Sequence, residues 1–195
     1  TSYAIEVGNA SFNEPGIIDG LDGNKTFAKY STDIRMYFSK KDKNKEKALN
    51  SNRKVIALRF MGGSLSGDVP FFEQYFLGGA ESLRGYKEDR FWGKNMFLSS
   101  AELRIPMGQS LIGVIFADYG DAWGARDIHR NPDNPNLSED PFKDLLLSLP
   151  QHDGFSPTLG YGLGIRVATP IGPLRLDYGF GDEGSRAHFS IGHVF

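Results

Sequence analysis

The sequence predicts an all-β chain that crosses a membrane as an antiparallel, up-and-down β-barrel of eight strands. Apolar and polar residues alternate with a period of two over most of the chain, which is the pattern of strands and not of amphipathic helices. Glycines and oppositely charged residues share the polar faces, while the apolar faces run the full length of the strands. A lipid-facing exterior around a polar interior produces this combination and favours a membrane barrel over a soluble sandwich or a lipocalin-like barrel.

Composition narrows the class of protein, and the 195 residues fit one domain, 1–195. The net charge of −2 comes without a concentrated basic face, which argues against a nucleic-acid partner. The chain has no cysteine, so a disulfide scaffold and a thiolate metal site are excluded. No stretch approaches the ~18 apolar residues of a transmembrane helix. The chain opens on a strand pattern and not on a signal peptide, so we expect a fragment or truncation of a longer protein.

The eight strands follow in order from the alternation and from the turn residues between them. In the sixth strand, for example, Leu159, Tyr161 and Leu163 alternate with glycines. Many of the strands approach the ~9–11 residues that cross a bilayer at a tilt. The predicted strands span about 3–12, 26–39, 54–65, 95–105, 110–123, 159–167, 174–178 and 187–195.

The connections between the strands alternate in length, as they do in membrane barrels with short turns on one side and long loops on the other. The connections 106–109 and 169–173 are short, whereas 13–25, 67–94 and 124–157 are long and fall on the opposite side. The basic connection 40–53 is an exception, because it is long and lies on the short-turn side. Within 124–157 the sequence predicts one short helix, at 140–149.

Three sequence elements carry a resemblance to a known family. The connection 67–94 contains a Gly-Gly pair followed by Ser-Leu-Arg-Gly-Tyr, the fifth strand contains Phe-x-Asp-x-Gly, and the C-terminus alternates apolar residues with a glycine and a final aromatic. In this order and at these strand positions, they resemble the loop signature, the strand signature and the C-terminal β-signal of the BamA family and its two-partner-secretion relatives. The residues are Gly78, Gly79, Arg84, Gly85 and Tyr86 in the loop, Phe116, Asp118 and Gly120 in the strand, and Phe189, Ile191, Gly192 and Phe195 at the end.

The resemblance implies the C-terminal half of a sixteen-strand barrel, in which the loop 67–94 folds back into the lumen. An arginine inside a barrel is costly to desolvate unless its guanidinium meets carboxylates. The family pattern therefore implies that Arg84 pairs with Asp118, and Glu102 fits a second partner by its position and face. A solvated loop arginine is the alternative interpretation of Arg84.

The function that the resemblance implies is the insertion of other β-barrel proteins into a bacterial outer membrane, without enzymatic turnover. Such an insertase opens a weak seam between its first and last strands and templates the incoming strand by β-augmentation. Expected partners are unfolded outer-membrane proteins, the lipid bilayer and, for a full-length protein, accessory assembly lipoproteins. The alternatives are a two-partner-secretion transporter, a small structural or adhesive barrel, and an envelope lipid enzyme.

The sequence predicts neither a metal site nor a cofactor. His129, His152, His188 and His193 lack metal-ligand spacing, and the Gly-Gly pair is not a phosphate loop because no Lys-Ser/Thr follows it.

Eight strands enclose only enough room for side chains, so a loop of about two dozen residues does not fit inside such a barrel. The fragment therefore has two options: it closes as a small barrel with the loop expelled, or two copies pair edge to edge into sixteen strands. The second option keeps Arg84 beside Asp118 and is preferred.

Overall fold

The structure, a computed structural model, describes residues 2–12, 23–39, 53–67, 69, 73–108, 110–124, 154–170 and 172–192. Eight strands form one antiparallel sheet in the order β1-β2-β3-β6-β7-β8-β9-β10, and two short strands form a separate hairpin, β4-β5. Among the described residues, no helix is both long and apolar enough to cross a membrane. The strands are β1 (Ser2–Phe12), β2 (Gly23–Ser39), β3 (Val55–Gly67), β4 (Tyr75–Leu77), β5 (Phe91–Gly93), β6 (Asn95–Pro106), β7 (Leu111–Trp123), β8 (Thr158–Val167), β9 (Leu174–Gly181) and β10 (Gly184–Ile191).

The large sheet confirms the predicted all-β, up-and-down arrangement of eight strands. One hairpin and several strand ends differ from the sequence prediction. β2 begins at Gly23 and not near residue 26, and β9 ends at Gly181 and not near residue 178. The hairpin β4-β5 inside the loop 67–94 is not predicted, because two strands of three residues are too short to show a period. The last strand begins at Gly184 and not near residue 187, because a two-residue turn joins it to β9 and pairs Gly184 with Gly181. The predicted helix at 140–149 and the residues 40–52 of the basic connection lie outside the described residues.

The two faces of the sheet differ as the alternation predicts. On β8 the outward side chains of Leu159, Tyr161 and Leu163 are 46%, 53% and 61% exposed. The intervening Gly160 and Gly162 are buried on the other face. We call the buried face the inner face. Large apolar side chains that point away from it are what a bilayer requires of a barrel wall.

An apolar core lies on the inner face, between the strands and the loop 67–94, which we call the signature loop. Leu83 and Leu98 are fully buried there, and Tyr86 packs edge-on against Phe91 with ring centroids 5.2 Å apart. The core therefore fixes the loop against the wall by ordinary packing, in addition to any ion pairs. Its members are Phe27, Leu65, Val69, Tyr75, Leu77, Leu83, Tyr86, Phe91, Met96, Leu98 and Ala122.

The sheet has two edges, β1 and β10, which are not paired with each other in the described part of the chain. The observed arrangement is thus an open sheet with the signature loop docked on one face. It differs from a closed eight-strand barrel with an expelled loop, which is one of the two options that the sequence leaves open.

Candidate functional site

Arg84 is the centre of the contact between the signature loop and the inner face. Its side chain is buried, and its Nε and Nη2 groups donate hydrogen bonds to Oδ2 and Oδ1 of Asp118 on β7, at 2.7 and 2.8 Å. The backbone N–H of Arg84 donates to the same Oδ2 at 3.1 Å. Nη1 donates to Oε1 of Glu102 on β6 at 2.6 Å. The guanidinium thus meets one carboxylate as a bidentate fork and a second one end-on, and the structure brings together the three residues that the sequence associates.

Glu102 and Asp118 are themselves held by the register of the sheet. In the pairing of β6 with β7, Glu102 lies opposite Phe116 and Ser100 lies opposite Asp118. The two carboxylates are therefore on neighbouring strands, offset by two residues along the strands, and both face inward. Both are almost completely buried. Two carboxylates in such a place are costly without a cation, and Arg84 supplies it.

Further charges extend this site along the wall. Arg166 on β8 donates to Asp177 on β9 at 2.6 Å and to Glu102 at 3.3 Å, and Arg104 on β6 donates to Glu102 at 2.9 Å. Asp177 also lies 3.6 Å from Nη1 of Arg84. These residues are not predicted as site residues from the sequence. The alternation places Arg104, Arg166 and Asp177 on polar faces, but only the strand register shows that they meet.

The strand signature contributes an aromatic ring and a glycine. The guanidinium carbon of Arg84 lies 3.7 Å from the centroid of the Phe116 ring, which is the geometry of a cation–π contact. A Cβ added to Gly120 would lie 2.6 Å from the carbonyl oxygen of Phe97 on the adjacent strand. Phe116, Asp118 and Gly120 therefore all lie on the inner face of β7. Phe116 and Asp118 contact Arg84, and Gly120 allows a close approach to β6.

The glycines of the loop signature allow the chain to turn. Gly78, Gly79 and Gly85 have φ values of 130°, 92° and 97°, a region that side chains other than glycine rarely adopt. Ser82 closes the first turn by accepting from the N–H of Gly78 and donating to its carbonyl.

Glycines of the wall give the loop room to lie close to the sheet. A Cβ on Gly160 of β8 would lie 1.9 Å from the carbonyl oxygen of Arg84, and one on Gly179 of β9 would lie 2.6 Å from the backbone nitrogen of Gly85. A Cβ on a third glycine, Gly181, would lie 2.6 Å from the ring of Tyr86. The backbone of the signature loop thus lies directly on the backbone of β8 and β9.

The last hairpin, β9-β10, is tied to the signature loop by two hydrogen bonds and an ion pair. The N–H of Gly85 donates to Nε2 of His188 at 3.1 Å, and Tyr86 accepts from the N–H of Asp182 at 3.1 Å. Tyr86 also donates to the carbonyl of Leu159 at 3.3 Å on β8. Arg90 forms an ion pair with Glu183 in the turn. The position of β10 is therefore coupled to that of the loop.

The residues of the predicted C-terminal β-signal lie at the edge of the sheet. Phe189 and Ile191 point outward and are 64% and 54% exposed, as a lipid-facing position requires. Gly192 has a φ of 111° and donates its N–H to the carbonyl of Pro173 at 2.9 Å. The β9-β10 ladder ends just before it, at the pair Ile191–Leu174. Phe195 lies outside the described residues.

Arg59 on β3 is a second anchor of the loop that the sequence analysis does not identify. Its Nη1 donates to the carbonyl of Glu81 at 3.2 Å, and its Nη2 donates to Asp33 on β2 at 3.1 Å. The signature loop is thus fixed from β2 and β3 on one side and from β9 and β10 on the other. In the described residues, no group of three or more His, Cys, Asp or Glu side chains is arranged to hold a metal ion.

Comparison with known proteins identifies the family. The model of the Omp85 superfamily domain matches residues 6–195, which is nearly the whole chain. The chain belongs to the Omp85 superfamily. Among curated relatives, this Omp85 chain is 36% identical to outer envelope protein 80 of Arabidopsis thaliana chloroplasts over 67% of its length, and 34% identical to the corresponding protein of Oryza sativa subsp. japonica over 71%. It is also 34% identical over 64% of its length to protein TOC75-4, another chloroplast protein of Arabidopsis thaliana.

The Omp85 chain has the fold of a solved barrel. BamA from Haemophilus ducreyi, in a crystal structure lacking POTRA domains 1–3, matches it with a TM-score of 0.56 at 18% identity. The match covers 86% of this chain and 35% of that one. The two outer envelope proteins are covered over only 16% and 19% of their own lengths.

Membership of the superfamily establishes the membrane context. The chain is a portion of an Omp85-type, BamA-like β-barrel of an outer membrane or outer envelope. This explains the exposed apolar exterior of the sheet, because the outward side chains of such a barrel contact lipid.

Proposed function

We propose that this chain is the barrel portion of an outer-membrane protein insertase, and that β10 forms the last-strand side of the seam through which barrel proteins enter the membrane. The proposal rests above all on one observation, the docked signature loop beside an open β10 edge. Insertion of this kind forms and breaks hydrogen bonds between strands and needs no covalent chemistry. Its substrates are unfolded outer-membrane β-barrel proteins.

The edge at β10 suits an incoming strand. An edge strand presents unpaired N–H and C=O groups that another strand can pair with. The described β9-β10 ladder has eight residue pairs, against eleven in the β1-β2 ladder at the other edge, so this end of the sheet is the less extensively paired. Hydrocarbon does not tolerate an unpaired edge, which supplies the driving force for capturing a strand there.

The docked loop supports the insertase over the two-partner-secretion transporter. A transporter passes a polypeptide along the inner face, where Arg84, Leu83 and Tyr86 are buried against the wall in this structure. A polypeptide could pass there only after the ion pairs of Arg84 break. An insertase needs the edge alone, and the edge is free while the loop stays docked.

Site-directed crosslinking tests the proposal, and the absence of native cysteine suits the chain to it. Cysteine replaces Ser190 on the β10 edge or, as a control, the similarly half-buried Ser31 of β2, which is paired on both sides, with β1 and with β3. The folded chain in liposomes is mixed with a urea-unfolded eight-strand barrel protein that carries one cysteine in its last strand. Disulfide formation at Ser190→Cys and not at Ser31→Cys is expected. Equal crosslinking at both positions, or none at Ser190→Cys, would contradict the role of β10.

The membrane and the partners of the chain are part of the proposal. The resemblance to BamA favours a bacterial outer membrane with accessory assembly lipoproteins, whereas the relatives in chloroplasts support a plastid outer envelope as the alternative. Fractionation of the source cells with an antibody to the chain distinguishes the two.

We also propose that two copies of the chain pair edge to edge when it is folded alone. An open sheet with two unpaired edges is unstable in a lipid or detergent environment, because every backbone polar group there needs a partner. Pairing of β1 and β10 with a second copy provides partners and leaves the signature loops docked. The contact between β10 of one copy and β1 of the other is then the seam at which an incoming strand replaces β1.

A further inference from the structure

A cleft of about 460 Å³, which we call the edge cleft, runs between β10 and the signature loop. One of its walls consists of residues 185–189 of β10. Successive residues of a strand point to opposite faces, so a cleft that all five of them line follows the free edge of the strand and not one face. The other wall is the signature loop, at Ala80, Tyr86, Lys87 and Glu88. A strand that pairs with β10 therefore lies beside the signature loop.

Arg186 lines the edge cleft without a partner. It is half-buried on the inner face of β10, two residues before His188. It forms neither an ion pair nor a hydrogen bond with any described residue, although its Nε group is buried. Buried polar groups of native proteins are almost always hydrogen-bonded, so this guanidinium indicates an acceptor that arrives from outside the chain.

The carboxylate that already lines the edge cleft is held by the signature loop. Oε1 of Glu88 accepts the backbone N–H of Ala80 at 2.9 Å, and Glu88 forms no ion pair with Arg186. Lys87, which is exposed, places a second cation in the same cleft. Charge complementarity therefore favours a partner that brings a carboxylate to Arg186.

We propose that the edge cleft selects incoming strands, which we call client strands, by an acidic side chain that forms an ion pair with Arg186. In strand addition, main-chain hydrogen bonds provide affinity and pockets for alternate side chains provide specificity. Residues directly opposite each other on paired strands share a face, so the client residue opposite Arg186 points inward, into the cleft. A guanidinium binds a carboxylate through two parallel hydrogen bonds, which an amide or a cation cannot accept. The inference rests on the proposed function, in which β10 receives the client strand.

Crosslinking with charged client strands tests the selection. The chain carries Ser190→Cys, on the same face of β10 as Arg186 and four residues further along, and is folded into liposomes. The client is the urea-unfolded eight-strand barrel protein with one cysteine in its last strand. Glutamate, glutamine or lysine occupies both positions four residues from that cysteine, so that one of them lies opposite Arg186 whichever way the strand runs. The glutamate client is expected to crosslink about tenfold faster than the lysine client.

Variants of the chain identify the charge that makes the selection. Arg186→Glu is expected to reverse the preference, so that the lysine client crosslinks faster, and Arg186→Gln is expected to remove it. Lys54→Glu makes the same change of charge at an exposed residue outside the edge cleft. This control should keep the preference for glutamate.

Two results would overturn the inference alone. One is an equal rate for the three clients with Arg186 unaltered, which needs no variant to fold and leaves strand capture at β10 intact. The other is the same preference for glutamate in Arg186→Glu as in Lys54→Glu. If Ser190→Cys crosslinks with none of the clients, both the proposed function and the selection by Arg186 are wrong.

Discussion

At the scale of single residues, the docking of the loop depends on how completely protein partners replace the hydrogen bonds to water that Arg84 loses on burial. Three of its side-chain nitrogens and its backbone nitrogen donate to two buried carboxylates, and its flat face lies over Phe116. The alternation and the signatures predict the partners Asp118 and Glu102, because both lie on polar faces of adjacent strands. They do not predict Asp177, since its contact depends on the stagger of β9 against β8.

Replacing Arg84 by glutamine is expected to destabilise the folded chain by about 3 kcal/mol or more. Asp118 then remains buried without the cation that it pairs with, and Glu102 keeps only Arg104 and Arg166. Removing one partner in this way is the costly way to break a buried ion pair. The measurement is the free energy of unfolding in urea, in detergent. Arg35→Gln is the control, since Arg35 is 39% exposed in its pair with Asp33 and such pairs contribute about 1 kcal/mol or less. Equal losses in the two variants would show that Arg84 is not a buried anchor.

Gly160→Ala is expected to lift the signature loop off the wall without unfolding the sheet. The new Cβ would stand 1.9 Å from the carbonyl oxygen of Arg84, whereas a Cβ on Gly62 of β3 meets nothing within 4 Å. Trypsin cleavage after Arg84 reports the loop, because this bond is buried while the loop is docked. Cleavage should rise in Gly160→Ala and stay at the original level in Gly62→Ala. Equal protection in both would mean that the loop does not need the glycine at 160.

At the scale of elements, long strands and short strands differ in how well the sequence specifies them. The strands of the large sheet show the alternation because each presents one face to lipid and one to the polar interior over eight residues or more. β4 and β5 have three residues each, which is too short to show an alternation, and they are held by packing. From the sequence they are therefore assigned to a loop. The contacts of His188 are likewise unpredicted, because its partner Gly85 lies 103 residues away along the chain.

The coupling between the last hairpin and the signature loop predicts the effect of changing His188. Its Nε2 accepts the hydrogen bond from Gly85, and His188→Phe removes that acceptor while keeping a ring of similar size. Hydrogen exchange of the Gly85 amide should accelerate at least tenfold, about 1.4 kcal/mol in the opening equilibrium. Ser190→Ala, on the same face of β10, serves as the control and should leave Gly85 protected. Unchanged exchange of the Gly85 amide in His188→Phe would show that β10 and the signature loop are not coupled through this hydrogen bond.

At the scale of the whole molecule, the decisive feature is an open eight-strand sheet that keeps its loop. The sequence predicts the number and order of the strands from local patterns. It leaves the closure open because closure depends on which edges meet, and no local pattern encodes that. In the structure β1 and β10 remain edges while Arg84 stays docked, the combination that a half-barrel requires and a small closed barrel excludes.

The mass of the detergent-folded protein, measured together with trypsin cleavage after Arg84, tests this arrangement most directly. Two half-barrels that pair edge to edge give a protein mass of about twice the 21.6 kDa of the chain, with the Arg84–Gly85 bond protected. A folded monomer in which trypsin cuts that bond would instead be a closed eight-strand barrel with its loop expelled. That result would contradict the docked loop as the resting state of the chain.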